Sequence, residues 1–233
     1  MIDVHYWPTP NGWKVTIALE EMGIPYRIVP VNIARGEQFR PEFLAISPNN
    51  RMPAIVDHAP ADGGPPLSVF ETGAILVYLA DKCGRFLPSD ARRRSEVMAW
   101  LMWQMSGLGP MLGQHGHFRL YAPERVEYAL DRYHREALRL YGVLDRRLEG
   151  REFVCDAYSI ADMACWPWVI TYKSQQVDLG AFPNVRRWFD ALKQRPALRR
   201  GYEVGRELRK AIFSGPDEEA RRHLFGQATG EGA

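Results

Sequence analysis

The stretch Tyr6-Trp7-Pro8-Thr9-Pro10-Asn11-Gly12-Trp13-Lys14 is where an apolar strand pattern gives way to a helix, and its reading decides the fold. Ahead of it Ile2, Val4 and Tyr6 alternate with Asp3, His5 and Trp7; beyond it Val15, Ala18, Leu19 and Met22 recur at helical steps of three and four. The pattern predicts a strand-to-helix corner. Pro8 and Pro10 stiffen the loop, Asn11 and Gly12 suit a turn or cap, and the unpaired N–H groups of the first helical turn face whatever lies beyond the strand end. Such a corner attracts anions, and Thr9 and Asn11 add side-chain donors to the helix dipole. A thiolate, carboxylate or phosphate is the kind of group it would hold. The Gly-rich spacing of a phosphate loop is missing, and so is Cys-x-x-Cys, so sulfur chemistry here needs a sulfur brought by a ligand. The same Thr-Pro-Asn-Gly turn also serves simply to turn and cap a chain, and the residues alone leave both readings open. Tyr6 shares the parity of Ile2 and Val4 and reads as a core aromatic.

With 233 residues, 46% of them hydrophobic, the chain can bury a large core in one or two domains. Thirty basic and 28 acidic residues are interleaved along most of the chain, so neither a nucleic-acid nor a membrane footprint is expected. Cys83, Cys155 and Cys165 are odd in number, widely spaced and without a metal-ligand pattern, which fits a reducing compartment and a structural role, with no metal. Met1 to His5 show no secretory pattern, and a cytoplasmic location is the expectation. Val97 to Phe118 carries no charged carboxylate, Lys or Arg and is rich in Met, Leu and Trp, but Gln104, Ser106, Gln114 and His115 interrupt it, as do Gly107, Gly109 and Pro110. It reads as a buried helix followed by a bend rather than a membrane span. Its methionines suit either an adaptable pocket wall or an ordinary core.

In chain order, Tyr26 to Val31 reads as a second strand, making a parallel strand-helix-strand unit. Ala34 to Ser47 is a short helix or irregular crossover. Met52-Pro53 opens a strand at Ala54 to Asp57, and Leu67 to Phe70 returns antiparallel to it after the Asp62-Gly63-Gly64 loop. Glu71-Thr72-Gly73 begins a third helix that ends near Lys82 and Gly84. Glu71 and Thr72 thus form a second strand-to-helix corner, able to grip a ligand's ammonium and carboxylate or merely to cap. From Ser95 onward the period stays helical. Leu130, Tyr133, Ala137, Tyr141, Leu144 and Leu148 make a bundle seam, Ser159-Ile160-Ala161-Asp162 a capping box, and Val185, Trp188, Phe189 and Leu192 another amphipathic face. A short helix around Glu218 to Phe225 precedes an end expected to be disordered.

This order of elements, with Met52-Pro53 before the third strand and Glu71-Thr72 opening the third helix, resembles the thioredoxin-like half of a glutathione transferase. The all-helical remainder, its capping box and Phe182-Pro-Asn-Val-Arg-Arg-Trp ahead of Arg195-Pro196 resemble that family's C-terminal domain. Pro8-Thr-Pro-Asn-Gly, Gly36-Glu-Gln-Phe-Arg-Pro-Glu-Phe, Ile46-Ser-Pro-Asn-Asn, Asp57-His-Ala-Pro-Ala-Asp-Gly-Gly and Cys165-Trp-Pro-Trp are similar to the bacterial nu class in particular. The resemblance implies an α/β thioredoxin-like N-terminal domain followed by an all-α bundle: residues 1–85 binding glutathione, a linker at 86–94, a helical domain at 95–210 and a tail at 211–233. It also implies a homodimer acting on small disulfides, with weak conjugation or peroxide reduction beside that activity. Carried over by motif, Thr9 and Asn11 lie near the glutathione sulfur, and the Met52 backbone pairs with the peptide ahead of a cis Pro53. Glu71 and Thr72 hold the γ-glutamyl end, while Gln38 and Arg132 hold further polar groups. Arg132 also reads as an ordinary surface arginine, since it lies off the Leu130/Tyr133 seam. Thr72 stands where the family commonly has Ser, and the tail has no clear match.

A thiol near pKa 8.5 gains reactive thiolate many-fold when its pKa falls by about one to two units, which is what one hydroxyl donor and a helix N-terminus supply together. Bound glutathione, rather than a protein cysteine, is the expected nucleophile, with Tyr6 as the rival sulfur ligand. Two other function classes stay open on sequence. One is a transferase conjugating electrophiles against a wall at Val97 to Met111, and the other a non-catalytic glutathione-binding module.

Overall fold

The computed structural model describes residues 1–209 and 218–225. Four strands form a mixed sheet in the order β2-β1-β3-β4, with β1 at Ile2–Tyr6, β2 at Tyr26–Pro30, β3 at Ala54–Asp57 and β4 at Leu67–Phe70. β1 runs parallel to β2, pairing Val4 with Ile28, and antiparallel to β3, where Val4 faces Ile55; β3 and β4 close as an antiparallel pair. The parallel pair needs a crossover, and α1, Pro10–Met22, supplies it. Between β2 and β3 the chain makes two 3-10 turns, Ile33–Arg35 and Glu37–Phe39, and the short helix α2, Pro41–Leu44. α3, Thr72–Cys83, ends on Gly84 in the left-handed conformation.

Helices make up the rest. α4, Ala91–Trp103, continues through a π turn at Gln104–Leu108 into α5, Gly109–Leu120, and is followed by α6, Glu127–Arg147. α7 at Ile160–Val169, α8 at Pro183–Lys193 and α9 at Pro196–Glu203 follow, and a helix at Glu218–Leu224 comes last among the described residues. The expected bend within Val97 to Phe118 is therefore a π turn in continuous helical backbone, with Leu108 and Gly109 both right-handed. A π turn widens the helix by one residue and often marks a site. The expected disorder at the chain end falls on residues 226–233, outside the described residues.

One core runs through both halves. Ile2, Val4, Ile17 and Leu19 from the sheet and α1 join Leu76 and Leu79 of α3, Leu101 of α4, Leu144 of α6, Met163 and Trp166 of α7 and Trp188 of α8. α1 is consequently buried on almost every side from Gly12 to Leu19, packed against α3, α7 and α9 and sharing its core with the sheet. Gly201 permits this closeness: a Cβ there would lie 2.5 Å from the Ile17 Cα, and its carbonyl accepts from Thr16 Oγ1 at 2.7 Å. At the rim of the same contact Arg195 holds Glu21 through two bonds of 2.8 and 2.7 Å. The capping box forms as read. Asp162 accepts from the Ser159 N–H, and it also takes the Val154 N–H and the Trp188 indole, which fixes α7 and α8 together. The expected seam on α6 is buried at Ala137, Tyr141, Leu144 and Leu148, but Leu130 and Tyr133 are only half-buried and Leu140 takes a core place. Among the described residues no helix is long and apolar enough to cross a membrane.

Candidate functional site

Thr9 is the N-cap of α1. Its extended backbone turns the chain, its Oγ1 accepts from the Gly12 N–H at 3.3 Å, and Pro10 occupies the first helical position, where a missing N–H costs nothing. The hydroxyl proton points to the Met52 thioether, 3.7 Å away. Met52 arrives there because the Met52-Pro53 peptide is cis and leads directly into β3 beside β1. Asn11 presents its Oδ1 to the Trp168 Nε1 at 3.1 Å, so its amide NH2 is left as a donor on the other side. These groups surround a cavity of about 210 Å³ lined by Thr9, Asn11, Gln38, Met52, Trp168 and His223 among others.

Gln38 enters from the second 3-10 turn. It is 5% exposed, and its Nε2 donates to the Ile33 and His223 carbonyls at 3.3 Å each. Its Oε1 is buried with no hydrogen-bond partner among the described residues. A buried orphan acceptor on a cavity wall is a place for a ligand N–H, because leaving it unpaired costs about 1–3 kcal/mol.

His223 and Leu224 also line this cavity, a placement that the sequence reading missed. The helix Glu218–Leu224 crosses the mouth of the cavity, with the His223 imidazole resting on Gly36, where a Cβ would come within 2.8 Å of Nδ1. Phe225 secures it from the helical side, its ring 5.0 Å from both Tyr121 and His117.

Glu71 and Thr72 lie at the start of α3, outside this cavity's lining but joined to it through the 49–52 turn: Asn49 Nδ2 donates to Glu71 Oε1 at 3.4 Å. Glu71 adopts φ 67° and ψ 121°, an unusual conformation for a residue with a side chain, of the kind that costs about 1–3 kcal/mol and recurs at ligand sites. Thr72 turns its hydroxyl inward, accepting from Lys14 Nζ at 3.3 Å and reaching the Met105 Sδ at 3.2 Å. Arg132 is elsewhere. It is exposed on α6 and lines a separate cavity with Tyr128, Asp131, Arg135 and Glu136. Tyr6 is fully buried in the core, its hydroxyl donating to the Val204 carbonyl at 3.0 Å and its pKa raised by burial, so it does not line the cavity.

No cysteine lines the cavity either. Burial pushes the Cys155 thiol up to about 11 and raises that of Cys165 further still, which keeps both protonated near neutrality. Among the described residues no group of three or more His, Cys, Asp or Glu side chains is placed to hold a metal ion.

A thioredoxin-like sheet, a helical domain against its first helix, and a small cavity at the cis-proline corner beside the N-terminus of α1 define a two-part protein. Comparison with known proteins agrees in both parts. The sequence profile of the glutathione S-transferase N-terminal domain matches residues 2–81 and that of the C-terminal domain residues 127–191. The disulfide-bond oxidoreductase YfcG of Escherichia coli is 54% identical over 84% of this chain and 92% of its own length. YghU of the same organism, also a disulfide-bond oxidoreductase, is 44% identical over 85% and 73%. A crystal structure of a Pseudomonas putida glutathione transferase with one glutathione disulfide per subunit superposes with TM-score 0.84 at 42% identity, covering 88% of this chain and 91% of that one. One from Pseudomonas fluorescens with two glutathiones bound gives 0.83 at 45% identity, covering 87% and 92%. The chain belongs to the glutathione transferase family.

Proposed function

We propose that the chain is a glutathione-dependent disulfide-bond reductase in which bound glutathione is the thiol. The observation that carries this reading is a cavity that gathers Thr9, Asn11, Gln38 and Met52 while none of the three cysteines lines it. The Thr9 hydroxyl already points at a sulfur atom, that of Met52, and the Gln38 Oε1 is an acceptor awaiting an N–H, so the lining fits a sulfur-bearing peptide. The names of YfcG and YghU, and the glutathione held by the Pseudomonas structures, support the same reading.

In this account Thr9, the Asn11 amide and the first turn of α1 stabilise the glutathione thiolate. It attacks one sulfur of a small disulfide, forming a mixed disulfide and expelling the other half as a thiolate, which takes a proton from solvent. A second glutathione thiolate then attacks the glutathione sulfur of that mixed disulfide, giving glutathione disulfide and releasing the remaining thiol. Glu71 and Thr72 hold the γ-glutamyl end, and Gln38 and the Met52 backbone hold the peptide. The division at 86–94 between a glutathione-binding and a helical domain, a homodimer and a cytoplasmic location belong to the same proposal. Arg132 enters it as a carboxylate-holding residue of that homodimer, since within one chain it lines a different cavity.

The test is the rate of 2-hydroxyethyl disulfide reduction by glutathione, coupled to glutathione reductase, beside the conjugation of a chlorinated dinitrobenzene. Fast disulfide turnover with slow conjugation is expected. The reverse would make the protein a conjugating transferase.

A further inference from the structure

Lys14 is the most deeply buried cation in the neighbourhood of the site. It sits one turn past Asn11 on α1, is 2% exposed, and its Nζ donates to Gln104 Oε1 at 2.7 Å and to Thr72 Oγ1 at 3.3 Å, with the Met105 sulfur at 3.8 Å. All three are neutral. The groups that act on it by charge or ionisation are Glu71, at the start of α3, and Cys165, on α7. Cys165 is kept protonated by burial, and the Glu71 carboxylate is held at the surface by Asn49. Thr72 opens α3, whose first N–H groups add positive potential of their own. An ammonium is thus held in a dry interior, against neutral partners and the positive end of a helix. That arrangement is costly unless an anion completes it.

We propose that Lys14 is a positioning residue for the γ-glutamyl carboxylate of bound glutathione, holding the Thr72 hydroxyl from behind and supplying the countercharge. The inference rests on the glutathione reading above. Because Nζ donates to Thr72 Oγ1, the Thr72 hydroxyl must spend its own proton elsewhere, on Met105 Sδ in this structure and on a carboxylate oxygen when one arrives. A carboxylate so placed is one hydroxyl away from the ammonium. Through Gln104, in the π turn, Lys14 also ties this end of the site to the helical domain.

The charge state supports the same role. Burial lowers the Lys14 pKa to about 7, so part of the population is neutral in the free protein. An anion at Thr72 raises that value again, so between about 7 and the higher value in the complex, binding of the ligand draws in a fraction of a proton.

Calorimetric titration with S-methylglutathione, which has no thiol to ionise, in two buffers of different ionisation enthalpy reads this uptake directly. The full-length protein is expected to take up a substantial fraction of a proton per ligand. Lys14→Met should bind about tenfold more weakly with no uptake. Should that variant not fold, Lys14→Gln, which keeps polar contacts without the charge, and Thr72→Val, which cuts the link, give the same readout. Uptake unchanged in the variants, or no uptake in the wild type, would overturn the inference while leaving the glutathione reading intact. Failure of the wild type to bind S-methylglutathione at all would remove both.

Discussion

Trp168 Nε1 donates to Asn11 Oδ1 across 3.1 Å, a bond from the helical domain to the first turn of the first helix. An indole N–H is only a donor, so it settles which way the Asn11 amide points and leaves the NH2 for a ligand. The helical domain therefore orients a residue at the sulfur end of the proposed glutathione site.

Replacing Trp168 with Phe keeps a ring against the cavity and removes the donor. A hydrogen bond of this kind contributes about 0.5–1.5 kcal/mol, so kcat/KM for disulfide reduction is expected to fall roughly two- to twelvefold. Steady-state kinetics of Trp168→Phe check this, and unchanged kinetics would mean that Asn11 needs no such orientation.

A variant carrying Cys83→Ser, Cys155→Ala and Cys165→Ala is expected to keep its disulfide reductase activity. Cys155 and Cys165 are buried and held protonated, and no cysteine reaches the cavity. Truncating the two buried thiols costs some stability, so the assay belongs well below the melting temperature. Loss of activity in folded protein would show that a protein thiol cycles.

Leu224 and His223 close the cavity from the chain's last described helix. Leu224→Ala is expected to raise kcat/KM for a bulky aromatic disulfide several-fold relative to 2-hydroxyethyl disulfide, because it removes side-chain volume without touching Thr9 or Asn11. Competition between the two disulfides measures the ratio directly.

Asp57 is fully buried at the end of β3. Burial works to raise its pKa, but the Lys82 ammonium at 2.7 Å, the Tyr78 hydroxyl at 2.6 Å and the Ala59 N–H at 3.0 Å hold it below the ordinary value of 3.8. A carboxylate depressed on folding stabilises the protein above its unfolded pKa, and that contribution is lost as pH falls below 3.8 through the folded value. Urea midpoints across that range should fall less steeply with acid in Asp57→Asn than in the wild type.

Much of this was legible because it is local. The strands at Ala54–Asp57 and Leu67–Phe70 fall where alternation and turn residues put them, and the Thr9 cap follows from the Thr-Pro-Asn-Gly chemistry. Lys14 was not legible as a buried group. Periodicity assigns α1 one apolar face, through Val15, Ala18, Leu19 and Met22, whereas two layers cover it and bury Lys14 and Thr16 as well. A partial signal lay in Gln104, a polar residue inside the uncharged stretch read as a buried helix followed by a bend, which turns out to receive the lysine. His223 and Leu224 left no such trace. Their place depends on Phe225 stacking on Tyr121 and meeting His117 edge-on, a contact between distant parts of the chain that no short pattern records.

In the proposed mechanism the reactive sulfur belongs to the ligand and is ionised by the corner that Thr9 caps. The ultraviolet absorbance of the thiolate, followed against pH with glutathione bound to the cysteine-substituted protein, tests it most directly. A thiol pKa about one to two units below the free value near 8.5 is expected, moving back up by about one unit in Thr9→Val. A bound thiol that titrates as it does in free glutathione, or one indifferent to Thr9, would contradict it.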